Sequence, residues 1–284
     1  MTRDDPRPIL AYVVIAYAIS WAIWFAGILS IDGMTGIGDE RFSPFLLAGS
    51  FGPSIAALVV AGVTGGRAAI FGLLRRLILV RVNWRVYAVT FFLMPTIGLV
   101  FYIVGGIAPR ISIWKIAATM IPLLPINALL GGVVFGVGPL GEELGWRGVL
   151  QSRLQGCTNS VATAVVIGLI WALWHLPAFR FADFRNGLDL PQFVVLYPVS
   201  TILIAFVMGH LWRWSHGSVF LAIMFHATLN TMAVDLMREN WWDFGGWSPL
   251  RIYLVILAVF ALTAVAVEVL ARTVFRRFLP DSAA

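Results

Sequence analysis

Charge is scarce in this chain: Asp, Glu, Lys and Arg make up 12% of its 284 residues, against about 25% in an ordinary soluble domain. With 60% hydrophobic residues, a soluble fold would have too little core to hide the apolar surface, so the solvent for most side chains must be lipid. Cysteine is nearly absent. Cys157 stands alone, which excludes an intramolecular disulfide and a cysteine-based metal site. No ten-residue alternating pattern occurs, which argues against a membrane β-barrel. The Gly-x-Ser-x-Gly elbow and His-Glu-x-x-His are missing, and no Cys/His dyad is apparent. These absences argue against the common serine, cysteine and zincin hydrolase machinery. Repeats and low-complexity segments are not visible either.

What is present is a series of long apolar runs. A helical span needs about 20 mostly apolar residues. Candidates lie at 9–30, 43–63, 84–107, 117–138, 160–178, 191–212, 217–236 and 249–274. The first run is too long for a signal-peptide core and lacks a clear cleavage site, so it reads as an uncleaved span. The segment Pro139 to Leu154 reads as a semi-polar helix, extending the fourth span or lying beside it. The fold class is therefore all-α: a polytopic transmembrane bundle of about eight helices. It is read as a single integral membrane domain over 1–284. Pro53, Pro95, Pro122, Pro125 and Pro198 should kink or break their helices. Gly132-x-x-x-Gly136 and Gly141-x-x-x-Gly145 permit close helix contact.

The net charge of +6 comes almost wholly from arginine. In a soluble protein it would suggest nucleic acid, but here the arginines sit between apolar runs, where topology charges belong. With the N-terminus inside, thirteen basic residues fall on inner segments and seven on outer ones, Arg67 to Arg85 being the strongest inner loop. The positive-inside rule then puts both termini in the cytoplasm of a multi-pass cell-membrane protein, with the lipid bilayer as its principal partner and no nucleic acid.

An ionisable group at the bilayer centre costs about 2.5–3.5 kcal/mol on insertion scales, so such residues persist when paired, solvated or useful. Three groups stand out. In Gly141-Glu142-Glu143-Leu144-Gly145-Trp146-Arg147, the adjacent carboxylates point about 100° apart on a helix. Glu143 can pair with Arg147 at i,i+4, leaving Glu142 free to meet another helix, as a base facing a half-dry cavity. A snorkelling ion-pair cluster explains the same residues equally well. In Trp171-Ala172-Leu173-Trp174-His175-Leu176-Pro177, His175 closes an apolar helix. A packed, hydrogen-bonded histidine is the ordinary explanation of such a residue. In Phe225-His226-Ala227-Thr228-Leu229-Asn230, His226 and Asn230 share a helix face. They could serve catalysis or simply glue helices together. Taken jointly, a carboxylate, two imidazoles and an amide suit activation of water and stabilisation of an oxyanion. His210, Arg213 and His216, Glu268 with Arg272, Asp235, and the interfacial Trp241, Trp242 and Trp247 are better explained structurally. The charges after Phe179 (Arg180, Asp183, Arg185 and Asp189) could gate access, though a short connecting loop accounts for them.

At these motifs the chain resembles the CPBP family, which includes the type II CAAX prenyl endopeptidases and the Abi-type bacteriocin-processing or immunity proteins. The family pattern is Glu-Glu-x-x-x-Arg, then Phe-x-x-x-His, then His-x-x-x-Asn. Glu142, Glu143 and Arg147 match the first motif, His175 the second, and His226 with Asn230 the third. The resemblance spans about 130–235. One departure is visible: Trp171 stands where the pattern has Phe, which should alter pocket shape and keep the chemistry.

The resemblance implies an intramembrane endopeptidase acting on a membrane-associated protein or lipidated peptide, such as a prenylated C-a-a-X tail. In it Glu142 would be the base, helped by His175. His226 and Asn230 would stabilise the oxyanion, and Glu143 and Arg147 would orient and tune the site. A divalent metal such as zinc, held by Glu142, His175 and His226, is the alternative to a metal-free glutamate mechanism. The alternative functions are a non-catalytic immunity or binding protein and a proton-coupled transporter.

Overall fold

The computed structural model describes residues 6–104, 137–238 and 246–276, and no strand occurs among them. The helices are α1 (Arg7–Ser30), α2 (Ser43–Ser50), α3 (Gly52–Arg75), α4 (Trp84–Val104), α5 (Val137–Gly145), α6 (Ser160–Trp174), α7 (Leu190–Trp214), α8 (Val219–Arg238) and α9 (Pro249–Thr273). The stretches Arg7–Ser30, Ser43–Ile78, Leu190–Trp214 and Pro249–Thr273 are long and apolar enough to cross a bilayer. The architecture is a multi-pass helical membrane bundle. The fourth expected span through residue 136, with Pro122, Pro125, Gly132 and Gly136, lies outside the described residues, as do Trp241 and Trp242.

Local chemistry sets several helix starts. Asn159 accepts from the Ala162 amide at 2.9 Å and opens α6. Asp189 accepts from the Gln192 amide at 2.8 Å and opens α7. Ser248 caps α9, followed at once by Pro249. Each cap satisfies an amide that the first turn leaves unpaired, and proline at the start loses no helical hydrogen bond.

The expected span 43–63 is corrected in two ways. It is divided at Phe51, where α2 ends and α3 begins. It also runs well past residue 63. Gly66 interrupts α3 at φ +63°, and the following residues, expected as a loop, are helical to Arg75. The physical reason is that Gly66 bends the backbone without ending it, and the residues beyond are good helix formers. Arg76 then donates to the Gly148 carbonyl at 3.2 Å. The fifth expected span, 160–178, also ends early. α6 stops at Trp174, and Leu176–Arg180 forms a 3₁₀ turn containing Pro177.

Helix association in lipid gains little from hydrophobicity and relies on close packing and polar contacts. The Gly141/Gly145 expectation is met. A Cβ on Gly141 would lie 2.5 Å from the Ser50 carbonyl oxygen, and one on Gly145 would lie 2.6 Å from that of Pro53. Polar contacts cross between helices as well. Trp21 Nε1 donates to Trp174 O at 2.8 Å, Ser20 Oγ to Gly49 O at 2.7 Å, and Thr201 Oγ1 to Gly168 O at 3.0 Å. Contacts of this kind average about 0.6 kcal/mol in membranes.

Two of the packed cores among the described residues frame the site. One joins α1, α3, α5 and α6 around Tyr12, Trp24, Trp146 and Trp174. The other joins α4, α7, α8 and α9 around Met208, Trp214, Phe225 and Phe275. α8 serves both, giving Val219, Ile223 and Met224 to the first and Leu221, Ala222 and Phe225 to the second. His226 follows on this shared wall.

Candidate active site

α5 carries Glu142 and Glu143 near its end and continues into a widened π-type turn, Trp146–Gln151. The close approach at Gly141 and Gly145 holds this segment against α2, α3 and α1, so both carboxylates are buried. Their surroundings differ, as the 100° step requires. Glu142 Oε2 accepts two indole N–H groups, from Trp171 at 2.9 Å and from Trp146 at 3.2 Å. Its other oxygen, Oε1, points toward Gly138, where an added Cβ would lie 3.6 Å away.

Glu143 meets the expected Arg147, with Arg147 Nε 3.5 Å from Glu143 Oε2 and both side chains 0% exposed. The closer partner of Glu143 was not expected: His226 Nδ1 lies 2.8 Å from its Oε1. A carboxylate can only accept, so Nδ1 donates. Nε2 is then left for other chemistry. Arg147 is held further by Nη2 against Met208 Sδ at 3.0 Å, with Cζ 5.5 Å from the Trp171 ring centroid.

His175 caps α6. Its Nδ1 lies 2.9 Å from the Trp171 carbonyl, and because a carbonyl only accepts, Nδ1 again donates and the neutral ring keeps its lone pair on Nε2. Aromatic rings fix its plane: Trp174 edge-on at 4.7 Å, Phe184 stacked at 5.6 Å and Tyr197 edge-on at 5.8 Å. Asn230 follows His226 by one turn on α8, at an exposed position.

The structure thus brings Glu142, Glu143, Arg147 and His226 into one buried group, joins His175 to it through Trp171, and places Asn230 one turn along. Sequence reasoning missed Trp146, Tyr12 and Met208. Trp146 had a signal, being four residues after Glu142. Tyr12, fully buried against Trp146 with ring centroids 5.7 Å apart, and Met208 had none, because each arrives from a distant helix. Arg147 Nη1, Glu143 Oε2 and the Tyr12 hydroxyl are buried without a hydrogen-bond partner among the described residues.

Residues 123–232 match the family model described as type II CAAX prenyl endopeptidase Rce1-like. The chain is also similar to CAAX prenyl protease 2 of Methanococcus maripaludis, 23% identical over 231 residues that cover 77% of this chain and 81% of that protein. Over its motif-bearing part the chain is thus similar to the CPBP family. It is a multi-pass membrane protease, and the match takes in all six motif residues.

Two further expectations concern the metal and the charged segment after Phe179. Among the described residues, no three His, Cys, Asp or Glu side chains cluster so as to hold a metal ion. The set Glu142, His175 and His226 therefore does not fit one as placed, and no step below passes through a metal. The charged segment after Phe179 is fastened. Asp183 Oδ2 accepts from the Gly38 amide at 3.0 Å, and Arg185 bonds the carbonyls of Phe179 at 2.9 Å and Leu188 at 3.1 Å. Gly36 lets Asp183 in, since a Cβ there would overlap its carboxylate.

Proposed function

We propose that the protein hydrolyses a peptide bond of a membrane-associated substrate with water activated by Glu142. The relatives' names point to a prenylated C-a-a-X tail as the substrate. The observation that carries this reading is the asymmetry of Glu142. One oxygen is saturated by two indole N–H groups while the other is left to take a proton.

In this reading a water between Glu142 Oε1 and His175 Nε2 loses a proton to Glu142 as its oxygen bonds the scissile carbonyl carbon. The carbonyl oxygen becomes an oxyanion. Glu143 stabilises an imidazolium at His226, so that Nε2–H can donate to the oxyanion alongside the Asn230 amide. Arg147 offsets the charge of Glu143. Glu142 then returns its proton to the departing nitrogen and the C–N bond breaks. A site within the bundle can meet a lipidated tail without extracting it, which would otherwise cost about 0.8 kcal/mol per buried CH₂. The excess of arginine on alternate segments supports cytoplasmic termini in the cell membrane.

The test is peptide cleavage by the purified protein in mild detergent, followed by mass spectrometry. A farnesylated C-a-a-X peptide and its unprenylated control are compared for wild type, Glu142→Gln and His226→Ala, with and without chelator. Cleavage of the farnesylated peptide by wild type alone, unaffected by chelator, is the expected result. Loss of cleavage with chelator overturns the metal-free mechanism, and identical blank traces from all three proteins overturn the prenyl substrate.

A further inference from the structure

The residue that departs from the family pattern touches more of the candidate machinery than any motif residue does. Trp171 donates its indole N–H to Glu142 Oε2 at 2.9 Å. Its backbone carbonyl accepts from His175 Nδ1 at 2.9 Å. Its ring meets His226 edge to face at 5.2 Å and lies 5.5 Å from Arg147 Cζ. The expectation that tryptophan here changes only the pocket wall is therefore incomplete, because phenylalanine would keep the ring contacts and the carbonyl but has no N–H to offer.

The missing bond matters because of how a carboxylate turns. The terminal torsion of Glu is broad and close to two-fold, so nothing in the side chain itself distinguishes one oxygen from the other. Trp171 and Trp146, from two different segments, converge on the same oxygen and remove that equivalence. Neighbouring Trp174 supplies a contrast: it is equally buried, and its indole N–H has no partner among the described residues. Burial of an indole at this wall therefore does not by itself produce such a bond.

We propose that Trp171 is a positioning residue whose indole N–H locks the Glu142 carboxylate so that Oε1 faces the reacting water. The proposal rests on the reading of Glu142 as the base. Trp171 does not touch the reacting atoms; it acts through Glu142, and its carbonyl sets which His175 nitrogen carries the lone pair.

The experiment compares wild type, Trp171→Phe, and a full-length protein in which the Trp171 indole is replaced by benzothiophene through an unnatural amino acid. Benzothiophene has nearly the shape of indole and lacks the N–H. Misplacement of a reacting group costs up to about a hundredfold in rate. Both replacements should lower kcat by about tenfold to a hundredfold with KM unchanged, and the benzothiophene protein should keep the wild-type Tm. A benzothiophene protein with wild-type kcat, or one altered only in KM, overturns the proposal and leaves Trp171 a packing residue. If wild type cleaves nothing, the functional reading fails by itself, and the indole N–H resonances decide the rest. The Trp171 signal, identified by its disappearance in Trp171→Phe, should move upfield in Glu142→Leu. An unmoved signal overturns the positioning bond.

Discussion

Among the described residues a carboxylate–arginine–histidine trio occurs twice. In one, Glu143 lies four residues before Arg147 and meets His226 from α8. In the other, Glu268 lies four residues before Arg272 and meets His210 from α7. Residue types and helical spacing are the same, yet the geometry differs. Arg272 Nε approaches Glu268 at 2.7 Å, with the arginine 77% and the glutamate 35% exposed. Arg147 Nε stays 3.5 Å from Glu143, with both buried. The outer trio is free to optimise its ion pair, because long exposed side chains can relax around it. The buried one is held by Trp171, Met208 and the π-type turn, and leaves Arg147 Nη1 and Glu143 Oε2 without a hydrogen bond among the described residues. A fastener satisfies its own atoms, whereas this buried trio keeps polar capacity in reserve beside Glu142.

The sharpest way to break that comparison is to remove one member of the buried trio. Arg147→Met should abolish cleavage and destabilise the protein by about 3–5 kcal/mol, since it strands a buried carboxylate. Adding Glu143→Gln should recover much of that stability, as read by thermal unfolding in detergent, without restoring cleavage. Equal stability of the single and double variants would show that Glu143 is not charged in the folded protein.

Next in size is Glu143→Gln alone. It should reduce cleavage at least tenfold through His226 while moving Tm less than Arg147→Met does, because glutamine can still accept from His226 Nδ1. Activity near wild type would make Glu143 a packing residue. The outer trio should respond far less. Arg272→Ala breaks an exposed pair worth about 0.2–1 kcal/mol, so Tm should shift slightly and cleavage not at all. A large loss of activity would mean that α9 is coupled to the site.

The smallest effect belongs to the loop between α1 and α2. There Arg41, with Nη2 2.6 Å from Asp39 Oδ2 and its backbone amide also donating, holds the Asp39 carboxyl below its usual range. The contribution to stability is therefore present above the unfolded value, about 3.9, and fades as pH falls through the lower folded value. Asp39→Asn should cost a little Tm at neutral pH, and the difference should vanish in acid. A difference that grows in acid would reverse the sign of this pair.

Much of this was legible in one dimension, for physical reasons. Lipid leaves no water to satisfy the backbone, so low charge and long apolar runs admit few structures besides a helical bundle. Helical periodicity alone predicts that Glu143 and Arg147 share a face, that Glu142 turns away from them, and that His226 and Asn230 align. Boundaries were less legible. Gly66 and Phe51 redraw α3 because a bend or a division within an apolar run leaves no trace in hydropathy.

What only the tertiary structure decided is which groups meet. The sequence by itself determined the membrane class, the six motif residues and their order along the chain. It could not pair Glu143 with His226, aim two indole N–H groups at one oxygen of Glu142, or bring Tyr12 and Met208 to the same wall. Those contacts join helices far apart in the chain, and they depend on close approaches such as those at Gly141 and Gly145 that exist only after the helices pack. The reach of a side chain is a few ångströms, so local spacing can place a residue on a face, and only the packing of one helix on another can choose its partner.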